Sequence, residues 1–462
     1  MSAPGTPATA RVPFWMRSLP PLDTTRLTHD IDRDVVIVGG GLTGLWTAHY
    51  LLEADRTLSI AMLEATRIGH GASGRNGGWL SNLIPGHESK LTSRYGEPAV
   101  RRFRDAVRGS VDESISVAEA LGIDADIVKG GTLSLAFRPA QARRQREKVE
   151  RSAKAHPEDS LQLLGAAAVR ERLNVAGVLS GVFNPHAARI HPGKLVHGLA
   201  ASLIRRGVQI YEHSPVEYFE PGVAVTAAGR AEATWIVRAT EGFTTALQGG
   251  NREFLSMNSS VMITRPQSDA FWSDLGWSGQ ELLSDAAHDY VYGQRTADGR
   301  IAIGGRGVPY RFGNGFDLEQ STPASTLRTL TRALETMFPG IDSTPDDSWS
   351  GVLGVPRDWN ARVTVDQRSR MIAAGGYVGH GVAATNLAGR TIADLVTETS
   401  SGLPDLPWVG HRSRSWEPEP LRWIGARSIY LGYRLADRSE ARSASASTSR
   451  FAALSNLVSG RP

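Results

Sequence analysis

Asp34-Val35-Val36-Ile37-Val38-Gly39-Gly40-Gly41-Leu42-Thr43-Gly44 is the stretch whose reading decides the fold. The β-branched run after Asp34 is what a strand buried on both faces of a parallel sheet requires. The glycines then satisfy G-x-G-x-x-G at the turn into a helix that runs to about Glu53, and residues 58–64 supply a second strand. The unit is βαβ, with a right-handed crossover. Gly39 permits the tight turn, Gly41 lets backbone approach a pyrophosphate, and Gly44 allows close packing of helix on strand. The helix start at Leu42 and Thr43 offers N–H donors and a positive dipole end. Glu64 stands twenty residues beyond Gly44, placed to hold the adenosine ribose hydroxyls. Its charge repels a 2′-phosphate, so NADP is disfavoured, whereas FAD and NAD both satisfy the motif.

Composition narrows the function classes. The 462 residues carry 51 basic and 47 acidic side chains, a net charge of +4, far from the clustered positive stripe of a nucleic-acid binder. Hydrophobic content of 41% is enough to bury a core. Cysteine is absent, which excludes disulfides, cysteine-ligated zinc or iron–sulfur centres, a catalytic thiolate and a thioether-tethered cofactor. Redox chemistry must therefore come from a bound cofactor, and no metal site is expected. Lysine occurs only at Lys90, Lys129, Lys148, Lys154 and Lys194; every basic residue beyond is arginine. Residues 35–52 are uncharged and long enough to span a membrane, but the glycine triplet within them argues against a span. The first thirty residues are rich in Pro, Thr and Ser and lack an apolar signal core, so they read as an arm lying on the body through Pro13-Phe14-Trp15-Met16. A cytoplasmic protein without membrane span or nucleic-acid partner is the expectation.

Further along the chain, Val100, Phe103, Val107, Val111 and Ile115 recur at helical spacing and predict an amphipathic helix over 97–121. A strand at 132–137, a charged surface helix at 139–154, a loop at 184–192 and a helix carrying Leu195, Leu199, Leu203 and Ile204 follow. Strands are expected at 208–211, 216–219 and 235–239. Residues 256–303 read as a mostly antiparallel sheet with a hairpin at Asp298-Gly299. A helix at 323–337, a strand at 349–355 and a second strand–helix unit over 371–396 close the regular part. The fold class is α/β, α+β overall. It comprises a Rossmann-like cofactor domain built from discontinuous segments (31–107, 161–246 and 347–400) and an inserted, mostly antiparallel substrate domain (108–160 and 247–346). Residues 1–30 form the arm, 401–438 a C-terminal extension, and 439–462 a disordered Ser-rich tail.

A second glycine cluster, Gly69-His70-Gly71-Ala72-Ser73-Gly74-Arg75-Asn76-Gly77-Gly78, follows the ribose acid. So much flexible chain is costly unless backbone must pass close to something flat. With this run, with Gly39 to Gly44 and Glu64, and with Gly376-Tyr377-Val378-Gly379-His380-Gly381-Val382, the chain resembles the glycine/D-amino-acid oxidase family of FAD enzymes over about residues 33–396. Its motifs are similar to those of the γ-glutamylputrescine oxidoreductase branch. The resemblance implies noncovalent FAD. It places Ala72 and Ser73 at the pyrophosphate, Arg75, Asn76, Gly77 and Gly78 past the isoalloxazine, and the backbone of Val216 at adenine. Gly379, His380, Gly381 and Val382 would face the pyrimidine edge of the flavin, where a helix N-terminus stabilises negative charge developing at N1.

The family chemistry is oxidation of a C–N bond by hydride transfer to flavin N5, giving an imine that hydrolyses to a carbonyl product. Substrate candidates are a γ-glutamylputrescine-like amine, an N-substituted amino acid or a D-amino acid, with O2 or another acceptor taking the electrons. His380 and Tyr377 flank the flavin-facing loop and are catalytic candidates, His380 through proton movement near neutral pH or through positioning of the flavin. Tyr290, Tyr292 and Gln294 alternate along one strand and share a face, which makes Tyr292 a third candidate. Arg75, inside the flavin motif, is the fourth; Arg295 and Arg306 are alternatives as a carboxylate fork. No lysine lies on the strand around 256–264, where some oxidases of the family place one to assist O2. Ser284-Asp285-Ala286-Ala287-His288 echoes a flavin hydroxylase motif but lacks its leading glycine and its strand–helix context. An NAD(P)H-dependent monooxygenase and a non-catalytic flavin sensor are the competing readings. Covalent attachment through His70 rests on position alone.

Overall fold

The computed structural model describes residues 12–305, 310–315, 321–443 and 445–459. Its helices are α1 (Phe14–Arg17), α2 (Leu42–Ala54), α3 (Glu88–Tyr95), α4 (Glu97–Ala120), α5 (Pro139–Ala155) and α6 (Ala166–Arg172). They continue with α7 (Pro192–Arg205), α8 (Asp269–Leu275), α9 (Ala324–Met337), α10 (Gly381–Thr397), α11 (Leu421–Arg442) and α12 (Arg450–Ser459). The strands begin with β1 (Ile31–Val38), β2 (Ile60–Leu63), β3 (Trp79–Ser81), β4 (Thr132–Ala136), β5 (Gln162–Gly165) and β6 (Ser180–Asn184). Next come β7 (Ala187–Arg189), β8 (Gln209–Tyr211), β9 (Val216–Glu220), β10 (Val223–Thr226), β11 (Gly229–Arg238) and β12 (Leu255–Thr264). The last are β13 (Leu282–Asp285), β14 (Tyr292–Arg295), β15 (Ile301–Gly305), β16 (Pro345–Val355), β17 (Arg362–Asp366) and β18 (Met371–Gly375).

The first sheet runs β17-β18-β11-β1-β2-β8, with β10 and β9 folding off β11 as a meander. Its five central strands are parallel, and Val35 to Val38 are all buried, as the apolar run requires. α2 and α10 cover one face together. A Cβ on Gly389 would lie 2.6 Å from the carbonyl carbon of Trp46, so the glycine is what lets the two helices approach. α4 buries Val100, Phe103, Val107 and Val111 against the same core, each burial stabilising by roughly 1.5–3 kcal/mol.

The second sheet runs β16-β12-β15-β14-β13-β4-β6-β5 and is antiparallel except for the β13–β4 pair. α9 covers one of its faces with Leu330 and Leu334. The expected α/β architecture with a second, mostly antiparallel sheet is present, but the strands divide the chain differently from the predicted bounds. β5 and β6, within 161–246, and β16, most of which falls in 347–400, all belong to the second sheet, because hydrophobic runs do not announce which sheet they will join. Residues 187–189, expected in a loop, form β7 and pair with β3.

The predicted disordered tail is a correction. α11 extends to Arg442 and α12 occupies Arg450–Ser459, packed on one another. Their docking is polar and specific. The Asp437 carboxylate accepts the backbone N–H groups of His288 and Asp289 (2.9 and 3.0 Å), and Glu440 accepts from Arg144 and from the N–H of Ser449. His288 Nε2 lies 3.0 Å from Glu440. His288, Asp437 and Glu440 are spaced as metal ligands would be, yet these bonds already occupy the carboxylates. No helix among the described residues is long and apolar enough to cross a membrane.

Candidate active site

The end of β1 turns at Gly39, whose φ of +116° favours glycine and whose N–H donates to the Leu63 carbonyl. A Cβ there would sit 2.6 Å from the carbonyl oxygen of Ala239, and one on Gly44 would overlap the Gly39 carbonyl oxygen. The second glycine cluster folds back onto this turn. Gly69 N–H donates to Gly40 O, and Ser73 Oγ accepts the N–H of Leu42 at 2.8 Å, at the N-terminus of α2. Ala72 and Ser73 thus stand where the helix dipole is positive, which is the environment a pyrophosphate needs.

Glu64 ends β2 with one carboxylate oxygen on Gly40 N–H and the other on Thr66 N–H, both at 2.8 Å. Burial raises its carboxyl above the ordinary carboxylate range, against the lowering effect of those N–H bonds. Thr66 Oγ1 donates a third bond at 3.0 Å, and a carboxylate, with about four acceptor sites, keeps capacity for a hydroxyl such as a ribose carries. The chain that leads to Val216 runs alongside: Glu64 N–H donates to Tyr211 O, and Ser214 N–H to Glu64 O. The residues present therefore fit a bound FAD at its adenosine and pyrophosphate end.

At the other end, Arg75 to Gly78 are clamped from both sides. Trp349 Nε1 donates to the Arg75 carbonyl at 2.8 Å, and Trp15 Nε1, from the N-terminal arm, to the Asn76 carbonyl at 3.0 Å. Gln294 Nε2 donates to Gly77 O at 2.8 Å and to Ile190 O at 3.2 Å. A Cβ on Gly77 would lie 2.6 Å from the Tyr292 ring, and one on Gly78 would overlap the Gln294 amide. These glycines are needed as much for protein packed against them as for a flat cofactor. Tyr292 and Gln294 do share a face, as their alternation predicts, and Tyr292 Oη lies 3.0 Å from Ser259 Oγ.

The loop before α10 contains Val378 at φ +56° and Gly379 at φ +96°, and the N–H of His380 donates to Tyr377 O. Glu241, which sequence reasoning missed, braces this loop from behind: its carboxylate accepts the N–H groups of Gly376 (3.1 Å), Tyr377 (3.0 Å) and Gly354. The signal was available in Ala239-Thr240-Glu241-Gly242, a turn at the end of a parallel strand where cofactor sites gather.

One face of β16 joins the two loops. Trp349, Gly351 and Leu353 alternate along it. Trp349 holds Arg75, a Cβ on Gly351 would lie 3.4 Å from Arg75 Cβ, and Leu353 Cδ1 lies 3.6 Å from the Cβ position of Gly379. On the neighbouring strand Val261, Ser259 and Met257 stand opposite these three residues. This surface of the second sheet packs against both glycine loops, the one at Arg75 to Gly78 and the one at Gly376 to Gly381. Alternation within 257–261 and 349–353 was the signal for it.

Other predicted residues fall elsewhere. Tyr377 places its hydroxyl 3.1 Å from Thr43 Oγ1, buried between α2 and the α10 loop, so it joins the first glycine turn to that loop. Arg75 is buried, with its Nε donating to His70 O, and serves the loop's own shape. His70 packs near Phe243, and burial first, with the charges of Arg75 and Arg67, lowers its imidazole to about 4. Arg295 lies over the Trp272 ring, 4.0 Å from its centroid, away from both flavin-facing loops. Arg306 lies outside the described residues. His288 sits where α11 docks and Asp285 accepts the N–H of Val291, so this segment belongs to the β13–β14 hairpin and lacks the strand–helix turn of the hydroxylase motif.

Comparison with known proteins agrees with this geometry. The family model described as FAD dependent oxidoreductase matches residues 34–395. Gamma-glutamylputrescine oxidoreductase of Escherichia coli is 30% identical over 421 residues, 85% of this chain and 91% of that protein. The probable oxidoreductase OrdL of Haemophilus influenzae is 27% identical over 393 residues, 82% of this chain and 84% of that protein. Glycine oxidase from Geobacillus kaustophilus shares the fold with a TM-score of 0.68 at 20% identity, covering 83% of this chain and all of the other.

Proposed function

The chain belongs to the FAD-dependent oxidoreductase family, and from that premise we propose that it oxidises the C–N bond of an amine. The observation that carries this reading is the wall formed by Tyr292, Ser259, Gly351 and Leu353, which faces the Gly77 and Gly379 loops together. When bound, FAD supplies a two-electron acceptor for the hydride of the carbon bearing nitrogen. The carbon next to nitrogen gives up a hydride and the nitrogen a proton, which leaves a C=N double bond. Water adds to that imine and splits it into a carbonyl compound and an amine. Reoxidation hands two electrons to O2 or to another acceptor.

The chain's own residues orient and exclude. Ser259 and Tyr292 offer hydroxyls on the wall, and the start of α10, with His380 at its N-cap, would hold the flavin through its N–H donors and positive end, which would stabilise negative charge on the reduced ring. His380 is the residue best placed to move a proton there. The similarity to a gamma-glutamylputrescine oxidoreductase, 30% identical over 85% of the chain, favours an amine as the substrate. FAD is held without a covalent bond, a reading supported by the absence of cysteine and the packing of His70 near Phe243. Release of all flavin into the supernatant on acid precipitation is the expected result.

The deciding experiment is anaerobic bleaching of the flavin absorbance by polyamines, γ-glutamylated amines, N-methyl amino acids and D-amino acids, followed by air. Bleaching by an amine class and not by D-amino acids is expected. Flavin that no member of the panel bleaches, and that NADPH reduces instead, would replace this reading with a monooxygenase.

A further inference from the structure

A cavity of about 220 Å³ lies between α11 and the end of the second sheet, next to the wall that faces the flavin loops. Met257 is shared between the two places. It stands opposite Leu353, which reaches the Gly379 loop, and its Sδ accepts the hydroxyl of Tyr430 on α11 at 2.9 Å. Val378, in the flavin-facing loop itself, belongs to the same apolar cluster as Tyr430, Trp359 and Trp416. Met257 therefore lines the cavity on one side and stands beside Leu353 on the other, so that its flexible side chain is the partition between the cavity and the place where a reacting carbon would sit.

Its lining is apolar by construction. Trp416 Nε1 is spent on the Val355 carbonyl (2.6 Å) and Trp359 Nε1 on that of Ser459 (2.9 Å), so both indoles satisfy their N–H on backbone and can offer their rings as walls. The charged groups at the rim are matched to each other: Arg357 to Glu417, and Arg422 to Glu419. A carboxylate entering the cavity would find its cationic partners engaged. An apolar cavity of about 150 Å³ suffices to bind benzene, so this one has room for a phenyl group with a short linker or an unbranched alkyl chain.

The geometry points to a tail pocket: the C-terminal extension closes the substrate chamber, and the substrate is an amine bearing an aryl or unbranched alkyl group. This inference rests on the amine-oxidising function proposed above and adds the substrate class. It assigns a role to α11, whose residues Gly425, Ala426 and Tyr430 line the cavity. Gly425 is the useful handle, because a Cβ placed on it meets nothing within 4 Å. A larger side chain there enters open space without displacing a neighbour.

The test uses the FAD-loaded full chain. Flavin bleaching is followed anaerobically with propylamine through decylamine, 2-phenylethylamine, putrescine and γ-glutamylputrescine, in wild type and Gly425→Phe. The dissociation constant should fall about fourfold per added methylene until the tail fills the cavity, and Gly425→Phe should cut the selectivity for long over short amines at least tenfold. Hexanol, which has no nitrogen to oxidise, should raise the melting temperature of wild type and not of the variant. Bleaching by amines with no dependence on chain length would overturn the tail pocket and leave the reaction standing. Bleaching by no amine, with hexanol protection still specific to wild type, would instead overturn the reaction and leave an apolar site. The wild-type series alone decides the matter should the variant lose FAD.

Discussion

Trp349 and Arg75 are 274 positions apart in sequence and joined by one hydrogen bond, from the Trp349 indole N–H to the Arg75 carbonyl at 2.8 Å. That bond fastens the Arg75 to Gly78 loop to β16 of the second sheet, so the two are set in register by a buried donor and acceptor. Trp15 repeats the device on the next residue, from the N-terminal arm.

Replacing Trp349 by Phe keeps most of the ring and removes the donor, leaving a carbonyl unpaired. A cost of about 1–3 kcal/mol is expected, read as a lower melting temperature and a weaker FAD dissociation constant in the same variant. Unchanged values for both would show that the loop holds its shape without the tryptophan.

Glu64→Ala removes the acceptor of the Gly40 and Thr66 N–H groups, and with it the group we propose for the ribose hydroxyls of FAD. FAD retention through gel filtration should drop at least tenfold in dissociation constant while the apoprotein remains folded by circular dichroism. Full flavin occupancy in the variant would contradict the assignment.

His380→Ala and Tyr377→Phe separate chemistry from scaffolding. The first should slow anaerobic flavin reduction tenfold or more with FAD affinity altered less than twofold. Tyr377→Phe, which loses only the contact with Thr43, should reduce flavin at near wild-type rate and lower stability by about 1 kcal/mol. Reversal of these two patterns would return Tyr377 to the catalytic group.

Glu241 predicts a pH dependence. Burial pushes its carboxyl up to about 7, against N–H bonds from Tyr377, Gly354 and Gly376. A group whose folded pKa lies above its unfolded value contributes stability that is complete below the unfolded pKa and is lost as pH rises through the folded one. The melting temperature should therefore decline between about pH 4.5 and pH 7, and Glu241→Gln should flatten that decline. A wild type equally stable across the interval would remove Glu241 as the source.

Three parts of the molecule were legible to different degrees. The turns at Gly39 to Gly44 and Gly69 to Gly78 were legible because each is contiguous and shaped by its backbone, so the residue type itself states the constraint. The direction of Tyr377, whose side chain turns to Thr43, was not legible, because a loop with positive φ at Gly376, Val378 and Gly379 does not alternate predictably. The C-terminal helices were missed because Ser-rich composition between 443 and 449 outweighed the weak periodicity around it, and their stability comes from docking through Asp437 and Glu440 on partners about 150 to 300 positions earlier.

By itself the sequence determined the dinucleotide half of this protein: a buried parallel strand, a glycine turn, a helix start and a ribose acid, all fixed by local sterics and hydrogen-bond geometry. Only the tertiary structure decided the substrate half. Which faces of β12, β14 and β16 meet the flavin-facing loops depends on strand register, and a shift of one residue would exchange Ser259 and Leu353 for their opposite-facing neighbours. That register is set by packing among segments remote in sequence, including an indole 274 residues from the carbonyl it holds.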